Sequence, residues 1–289
     1  MLTPFIDMRI IETVKEMQHV ADELRRQGKK IGFVPTMGFL HEGHLSLVRK
    51  SRELSDVTVV SIFVNPTQFG PSEDLAKYPR DFERDRQLLE QEKTDIIFFP
   101  DGKEMYPDRY STYIQVRELE NHLCGKSRAG HFVGVATVVA KLFNIVKPHY
   151  AVFGQKDYQQ LKVIERMVDD LNMDLEVVAY PTVREKDGLA MSSRNSYLSA
   201  AEHEKALLIY ASINKIQELF KAGMRETATL REEATKILNS GTDIDIEYIT
   251  ISDAETLVEI DRIQDKAVLA IACRVGKTRL IDNTILTED

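Results

Sequence analysis

The sequence is poor in cysteine and has no long apolar run. Its two cysteines, Cys124 and Cys273, lie far apart with no other thiols beside them, so neither a disulfide framework nor a thiolate zinc site is expected. This pattern favours a reducing compartment, and we predict a cytoplasmic protein. The first 22 residues are too charged for the apolar core of a signal peptide. No stretch of about 18 apolar residues is present, so we expect no membrane span.

An excess of basic residues is also lacking. The 289-residue chain has a formal net charge of −8, whereas nucleic-acid-binding domains usually present a basic surface. We therefore expect no nucleic-acid partner. With 43% hydrophobic and 29% charged residues, the composition is that of a globular protein with one large or two ordinary domains. Cationic residues nevertheless gather in a few short motifs, which suits a small anionic substrate.

Short apolar runs alternate with amphipathic segments through the first two-thirds of the chain. Apolar runs that are too short for helices are typical of strands buried on both faces of a parallel sheet. The alternation predicts a Rossmann-like α/β domain over residues 1–180, with right-handed crossovers. The strands are predicted at 31–34, 57–64, 95–99, 150–153 and 175–179, and the helices at 11–27, 44–54, 81–91, 130–146 and 161–171.

The last third of the chain has a different pattern, in which strands and helices no longer alternate. We predict a smaller α+β domain over residues 181–289. A further short strand is predicted at 112–116, where the pattern is otherwise mixed. In the last third, the helices are predicted at 200–221 and 225–238, and the strands at 244–251, 267–275 and 280–286.

The first chemical motif lies between a predicted strand and a predicted helix. It reads Pro-Thr-Met-Gly-Phe-Leu-His-Glu-Gly-His over residues 35–44. We expect this loop to leave free backbone N–H groups at the helix start, where an anion such as phosphate is stabilised. His41 and His44 could add donors there, although two exposed loop histidines would be equally ordinary. Their spacing differs from the His-Glu-x-x-His zinc motif, so we predict no metal site.

Two further motifs also follow predicted strands. Asn65 and Gln68 could hold hydroxyl or carboxylate groups, but Asn-Pro also begins turns readily. Lys156 could neutralise phosphate, and Asp157 could hold a ribose hydroxyl or help to place Mg²⁺. The alternative for this pair is a helix start with Asp157 stabilised by the helix dipole. Ligands of parallel sheets bind beyond the carboxyl ends of the strands, and all three motifs fall there.

A fourth motif, Met-Ser-Ser-Arg at residues 191–194, combines two hydroxyls with a guanidinium. Arginine binds phosphate with two parallel hydrogen bonds, and hydroxyls can complete such a cradle. The alternative is a linker between domains. Arg128 and His131 also lie near a predicted helix start, where we expect His131 to cap or pack rather than to bind an anion.

Together these blocks resemble the pantothenate synthetase (pantoate–β-alanine ligase) family of nucleotidyltransferase-like proteins with a His-x-Gly-His motif. The matching blocks agree in order and spacing and cover the first two-thirds of the chain. They are Pro-Thr-Met-Gly-x-Leu-His-Glu-Gly-His at 35–44, Asn-Pro-x-Gln-Phe at 65–69, Phe-Gly-Gln-Lys-Asp-Tyr-Gln-Gln at 153–160 and Pro-Thr-Val-Arg-Glu-x-Asp-Gly-Leu-Ala-Met-Ser-Ser-Arg-Asn at 181–195.

The resemblance implies an ATP-dependent ligase of pantothenate and coenzyme A biosynthesis. Such an enzyme condenses (R)-pantoate with β-alanine through a pantoyl-adenylate and releases AMP and pyrophosphate. It also implies a homodimer, with residues 1–180 binding ATP and pantoate and residues 181–289 forming a lid. Mg²⁺ would be held mainly by the ATP phosphate oxygens, so few protein ligands are expected and no residue is assigned as a metal ligand.

The resemblance assigns roles to individual residues. The candidates for stabilising the ATP phosphates in the transition state are His44, Lys156, Ser192, Ser193 and Arg194, with His41 a weaker candidate. The ATP-binding set adds Met37, Gly38, Gly154, Asp157 and Met191. The pantoate-binding set is Gln68, Gln160 and Asn65.

Two other functions remain open at this stage. The nearest is an adenylyltransferase that transfers AMP to a phosphate, which would share the fold and the histidine motif. The Lys-Asp-Tyr-Gln-Gln block and the Met-Ser-Ser-Arg loop argue against it. The other is a nucleotide-binding regulatory protein without catalysis, which the many cationic and amide groups disfavour.

Overall fold

The computed structural model describes residues 8–71, 73 and 75–288. The chain divides into two compact units, each built from several segments. The first unit comprises Met1–Val116, Arg128–Gln155 and Val163–Pro181, and the second comprises Arg117–Ser127, Lys156–Lys162 and Thr182–Asp289. Two short segments that precede residue 181 thus belong to the second unit. The division of roles between a substrate-binding domain and a lid stays a prediction.

The first unit contains a six-stranded sheet in which every pairing is parallel, as predicted. The strand order is β1-β4-β3-β2-β5-β6, so the order reverses between β2 and β5. Such a reversal is the point at which open parallel sheets bind ligands. The strands are β1 Arg9–Ile11, β2 Ile31–Thr36, β3 Val57–Ile62, β4 Ile96–Phe98, β5 Tyr150–Gly154 and β6 Glu176–Tyr180.

Helices connect these strands, with boundaries that local capping sets. The helix predicted from residue 11 begins only at Val14, because Thr13 caps it and Arg9–Ile11 pair with β4 instead. The strand predicted at 112–116 is not found, and residues 111–116 have no strand pairing within the described chain. The helices are α1 Val14–Arg26, α2 Glu42–Leu54, α3 Phe82–Gln91, α4 Gly102–Met105, α5 His131–Val146 and α6 Tyr158–Asp170.

The apolar helix α5 lies in the core of the first unit. Its Phe143 ring meets those of Phe33 and Phe153 edge-on, with centroids 6.4 and 6.3 Å apart. At Gly134 the helix backbone approaches the loop after β3 so closely that a Cβ would lie 2.5 Å from the Thr67 carbonyl oxygen. This glycine allows α5 to support the loop in which Asn65 and Gln68 lie.

The second unit contains two long helices and an antiparallel sheet of order β7-β8-β9, as predicted for the last third of the chain. Ser199 and Glu202 cap the first turn of α7 reciprocally, which satisfies backbone donors that the helix leaves unpaired. Buried residues of both helices pack on the sheet, and β8 is buried over almost its whole length. The elements are α7 Ala200–Lys221, α8 Thr227–Asn239, β7 Ile244–Asp253, β8 Ala267–Val275 and β9 Thr278–Leu286.

Candidate active site

The loop after β2 is sharply turned and tightly hydrogen-bonded. Gly38 has φ +81° and Phe39 has φ +51°, the left-handed region that non-glycine residues seldom adopt. The Gly38 N–H donates to Thr36 Oγ1 at 3.2 Å. The N–H groups of Phe39 and Leu40 donate to the two carboxyl oxygens of Asp85, each at 2.7 Å. The loop is therefore fixed before any ligand binds.

His41 and His44 cap the start of α2 reciprocally. Nδ1 of His41 accepts from the Gly43 N–H at 3.1 Å, and Nδ1 of His44 accepts from the His41 N–H at 3.3 Å. This capping begins α2 at Glu42, two residues before the predicted start. The prediction of free backbone N–H groups here is wrong for residues 38–41 and 43, because each of these groups donates to a protein acceptor.

The capping also determines the tautomer of both neutral rings. A ring nitrogen that accepts a hydrogen bond carries no proton, so the proton of each neutral imidazole lies on Nε2. The two ring centroids are 4.0 Å apart. His41 and His44 thus lie side by side, and each neutral ring carries its N–H donor on Nε2.

Asn65 and Gln68 form a buried pair after β3. Asn65 caps a short 3₁₀ helix, Pro66–Gln68, so the predicted turn is found. Its side chain is only 1% exposed. Asn65 Oδ1 accepts from the hydroxyls of Tyr106 and Thr67 at 2.8 and 2.9 Å. Both Nδ2 hydrogens have acceptors as well, Gln68 Oε1 at 3.0 Å and the Gly134 carbonyl at 3.2 Å.

These bonds orient the Gln68 side chain. Because its Oε1 accepts from Asn65, the Nε2 end faces the other way and lies 3.3 Å from Met37 Sδ. Gln68 can therefore offer N–H donors to a ligand oxygen. Motif reasoning alone did not indicate which end of the amide would be available.

His131 and Arg128 hold the backbone of Gln68 in place. The buried His131 ring donates from Nδ1 to the Gln68 carbonyl oxygen at 2.8 Å, and its Nε2 accepts from Arg128 at 2.9 Å. Arg128 in turn forks onto both carboxylate oxygens of Glu73, at 2.8 and 2.6 Å. His131 packs inside the first unit, as expected, and it also supports a predicted site residue.

In the second unit, Lys156 and Asp157 end a short 3₁₀ helix, Gln155–Asp157, directly before α6. The Lys156 carbonyl accepts from Asn283 Nδ2 at 2.7 Å, which ties this segment to β9. Lys156, Asp157, Ser192 and Arg194 line one small cavity of about 30 Å³. That volume is enough for one or two waters. Four predicted ATP-binding residues are thus brought together.

The Met-Ser-Ser-Arg segment is folded onto the second unit and is not a free linker. Arg184, seven residues before this segment, forms a bidentate pair with Asp282 of β9 at 2.6 and 3.0 Å, and Asp282 is only 3% exposed. Asn195, just after the segment, donates to Glu185 at 2.6 Å. Ser192 accepts from the Arg194 N–H at 3.3 Å and so caps the short 3₁₀ helix Ser193–Tyr197.

The two adjacent glutamines of α6 differ in their surroundings. Gln159 is buried, and its Nε2 donates to the carbonyls of Leu119 and His122, each at 2.7 Å. Gln160, the predicted pantoate-binding residue, is partly exposed. Gly154 ends β5 beside Tyr180, with room for a Cβ.

Within the described part of the chain, one group of three possible metal ligands gathers: Glu185, Asp187 and His203. Asp187 is exposed and the other two are partly exposed, and His203 Nε2 lies 2.7 Å from Asp187. The hydrogen bond from His203 lowers the pKa of the Asp187 carboxyl. This bond accounts for the cluster without an ion, and the prediction of no protein metal ligand stays a prediction.

The sequence motifs do not identify two residues that support the site, His131 and Asp85. His131 follows a glycine at the start of a helix, a position typical of an ordinary helix cap. Asp85 lies in a charged surface helix, but its position gives a usable signal. It is three residues after Phe82 and four before Leu89, so it occupies the buried stripe of α3. A charged residue on an apolar stripe indicates a buried acceptor with specific partners.

Comparisons with known proteins identify the family. The sequence profile of the family described as pantoate-beta-alanine ligase matches residues 9–285. The chain is 58% identical over 279 residues to the pantothenate synthetase of Thermotoga petrophila, covering 96% of this chain and 100% of that one. It is 57% identical to that of Thermotoga neapolitana, with the same coverage.

Solved structures show the same similarity. The pantothenate synthetase of Thermus thermophilus superposes with a TM-score of 0.92 at 44% identity, covering 97% of this chain and 100% of that one. The pantoate-beta-alanine ligase of Francisella tularensis, complexed with beta-gamma ATP and beta-alanine, gives 0.80 at 38% identity, covering 96% and 97%. No helix in the described part of this chain is long and apolar enough to cross a bilayer. The resemblance drawn from four sequence blocks is confirmed over nearly the whole chain, which belongs to the pantoate–β-alanine ligase family.

Proposed function

We propose that this chain condenses (R)-pantoate with β-alanine, using ATP and releasing AMP and pyrophosphate. The observation that carries the proposal is the family match over residues 9–285. The product is pantothenate, a precursor in coenzyme A biosynthesis. ATP and β-alanine are the ligands named for the Francisella relative, and we assign both to this chain as substrates.

The reaction needs activation of a carboxylate, because a carboxylate oxygen is too basic to leave from an acyl group. In the first step a pantoate carboxylate oxygen attacks the α-phosphorus of ATP. The bond from that phosphorus to the bridging oxygen breaks, and pyrophosphate leaves with the electron pair. The β-alanine amine then attacks the carbonyl of the pantoyl-adenylate, loses a proton and expels AMP. No protein nucleophile is required, so the protein contributes positioning and charge stabilisation.

In the first unit, we assign His44 to the ATP phosphates, with His41 as its weaker companion. The support is the shared tautomer, which gives each ring an Nε2–H donor. The backbone amide of Gly38 donates to Thr36, so Met37 and Gly38 can approach the nucleotide through other atoms of the loop. We assign Gly154, which bears no side chain, to close approach of the nucleotide as well.

In the second unit, we assign Lys156, Ser192, Ser193 and Arg194 to the phosphates. Lys156 supplies a compact positive charge, whereas Arg194 can form two parallel hydrogen bonds with phosphate oxygens. We add Met191 and Asp157 to the ATP-binding set. Mg²⁺ bound to ATP would neutralise phosphate charge. The exposed Asp157 carboxylate is a hard oxygen donor beside Lys156 and fits that ion.

For pantoate, we assign Gln68 and Gln160 to direct contact. Gln68 offers N–H donors, which suit the carboxylate or a hydroxyl oxygen of pantoate. Asn65 has acceptors for both its amide hydrogens, so we give it the task of orienting Gln68. We also propose residues 181–289 as a lid that keeps water from the adenylate.

We further propose a cytoplasmic homodimer. Tyr113 is 57% exposed, and residues 111–116 form no strand pairing within the described chain. An exposed aromatic side chain favours association with a second copy. Sedimentation equilibrium of the wild-type chain and of Tyr113→Asp would test this, since a monomeric wild type would contradict it.

The function is tested by identifying the products by mass spectrometry. The chain is incubated with ATP, Mg²⁺ and pantoate, with and without β-alanine. We expect pantothenate, AMP and pyrophosphate in equal amounts when all substrates are present. AMP attached to a phosphate acceptor without any amide would support the adenylyltransferase alternative. ATP binding without turnover of any carboxylate would support the regulatory alternative.

A further inference from the structure

Asp85 is a buried carboxyl in the middle of α3. It is only 1% exposed, and its two oxygens accept the N–H groups of Phe39 and Leu40, each at 2.7 Å. The nearest cation is Arg84, whose Nη1 lies 3.5 Å from one oxygen. Burying a carboxyl is unfavourable unless hydrogen bonds satisfy it. The two backbone donors are the compensation that the structure provides.

The loop after β2 needs such an acceptor. The β2–β3 pairing ends at Thr36, and Gly38 and Phe39 then adopt left-handed φ angles. The N–H groups of Phe39 and Leu40 lie beyond this pairing and donate to Asp85 instead. A Cβ at Gly38 would lie 3.0 Å from Asp85 Oδ2, so loop and carboxyl fit closely. The Arg84 guanidinium lies 5.0 Å from the centre of the Phe39 ring. Two adjacent residues of α3 thus hold the loop.

We infer that Asp85 is a positioning residue that sets the conformation of residues 37–40 and thereby places His41 and His44. This inference rests on the proposed role of His44 at the ATP phosphates. Thr36 holds the N–H of Gly38, and the two histidines hold the start of α2. Between these points, Asp85 is the acceptor for the backbone N–H groups of Phe39 and Leu40.

An amide cannot replace this carboxyl. Both oxygens accept an N–H at 2.7 Å. In Asp85→Asn one of them becomes an NH₂ group, which would face another N–H donor. That substitution hardly changes side-chain volume, so it tests hydrogen bonding and not packing.

The experiment compares Asp85→Asn with Asp81→Ala. Asp81 caps the start of the same helix by accepting from the Arg84 N–H at 3.1 Å, and it makes no bond to the loop. Both variants weaken α3, but only the first releases Phe39 and Leu40. The readouts are hydrogen–deuterium exchange of peptides covering residues 37–44, the melting temperature, and kcat with the KM of each substrate.

For Asp85→Asn we expect at least tenfold faster exchange in residues 37–44 and at least tenfold lower kcat, with KM raised for ATP and unchanged for β-alanine. For Asp81→Ala we expect a lowered melting temperature with kcat within twofold of the wild type. Equal losses of activity in the two variants, or unchanged exchange in Asp85→Asn, would overturn the inference.

Two further variants keep the result interpretable. If Asp85→Asn does not fold, Asp85→Glu keeps two carboxylate acceptors but moves them by one methylene group. We expect it to speed exchange in residues 37–44 and to lower kcat in the same way. His44→Ala separates this inference from the proposed function. Full activity in His44→Ala would refute the role of His44 at the ATP phosphates. The exchange data would still test whether Asp85 fixes the conformation of the loop. If His44→Ala lost activity while Asp85→Asn stayed fully active, the inference about Asp85 would be refuted and the proposed role of His44 would stand.

Discussion

The side-chain amide nitrogen of Asn65 lies 3.0 Å from the amide oxygen of Gln68, and this contact decides which end of Gln68 a ligand can meet. The oxygen of Gln68 is occupied, so the nitrogen remains to donate. One buried asparagine thus converts an ambiguous amide into a donor. A flexible surface glutamine would present either end.

Asn65→Asp should reverse this preference. The new carboxylate oxygen would face Gln68 Oε1, so the Gln68 amide should flip and present its oxygen to pantoate. We expect the KM for pantoate to rise at least tenfold with the KM for ATP within twofold. A buried, incompletely satisfied carboxylate should also lower the free energy of unfolding by about 1–3 kcal/mol. Steady-state kinetics and urea denaturation measure both. An unchanged KM for pantoate would show that the orientation of Gln68 is not important.

His131 should be replaceable by asparagine but not by glutamine. An asparagine Nδ2 can take the place of the ring Nδ1 that donates to the Gln68 carbonyl at 2.8 Å, whereas the glutamine amide reaches the position of Nε2. We therefore expect His131→Asn to keep more affinity for pantoate than His131→Gln. Pantoate KM values of the two variants at matched stability test this. The opposite order would mean that the contact with Arg128 matters more than the contact with Gln68.

Lys156→Ala should reduce turnover far more than stability. A lost charge at the transferring phosphate is expected to cost about 3–4 kcal/mol of transition-state stabilisation, by analogy with a lost oxyanion donor. Lys215→Ala is a matched control, because Lys215 is also partly exposed, pairs with Glu218 and belongs to no predicted site. We expect the control to keep its rate. A full rate in Lys156→Ala would remove that lysine from the mechanism.

The Arg184–Asp282 pair should be important for stability. Arg184→Met leaves Asp282, which is 3% exposed, without its partner, and removing one member of a buried pair costs about 3–5 kcal/mol. Arg262→Met breaks the exposed pair with Glu226 and should cost about 0–1 kcal/mol. Thermal and urea unfolding compare the two. Equal effects would show that the Arg184–Asp282 pair is not special.

The raised pKa of Asp85 should be visible in the pH dependence of the free energy of unfolding. Burial raises the pKa of its carboxyl above 3.8, and the negative charge of Asp81 raises it further. The hydrogen bonds from the Leu40 and Phe39 N–H groups and the charge of Arg84 lower this pKa, but not by enough to offset burial and Asp81. A carboxyl whose pKa is higher in the folded state than in the unfolded state stabilises the folded state at a pH below its pKa in the unfolded chain. This stabilisation is lost as the pH rises through the pKa of the folded state. The stability of the wild type relative to Asp85→Asn should therefore be greatest below pH 3.8 and fall as the pH rises above it. Urea titrations of both proteins test this, and a difference that grows with pH would mean that the hydrogen bonds outweigh burial.

The parallel sheet and the C-terminal strands could be predicted because their apolar runs have the length and spacing of buried strands. Strand β1 could not, because Arg9–Ile11 is three residues long and exposes its first two side chains. The site motifs could be found because phosphate chemistry concentrates cations and glycines after strands. Their support could not, since the bonds of Asp85 to Phe39 and of Asp282 to Arg184 join residues 46 and 98 positions apart. No local pattern encodes such long-range pairs.

The central claim is that this chain forms a pantoyl-adenylate. Exchange of labelled pyrophosphate into ATP, with Mg²⁺ and pantoate but without β-alanine, tests it most directly. We predict exchange that depends on pantoate and is lost in Lys156→Ala. No exchange in the wild type, together with amide formation once β-alanine is added, would contradict a free adenylate step. No exchange and no amide would contradict the assignment of pantoate as substrate.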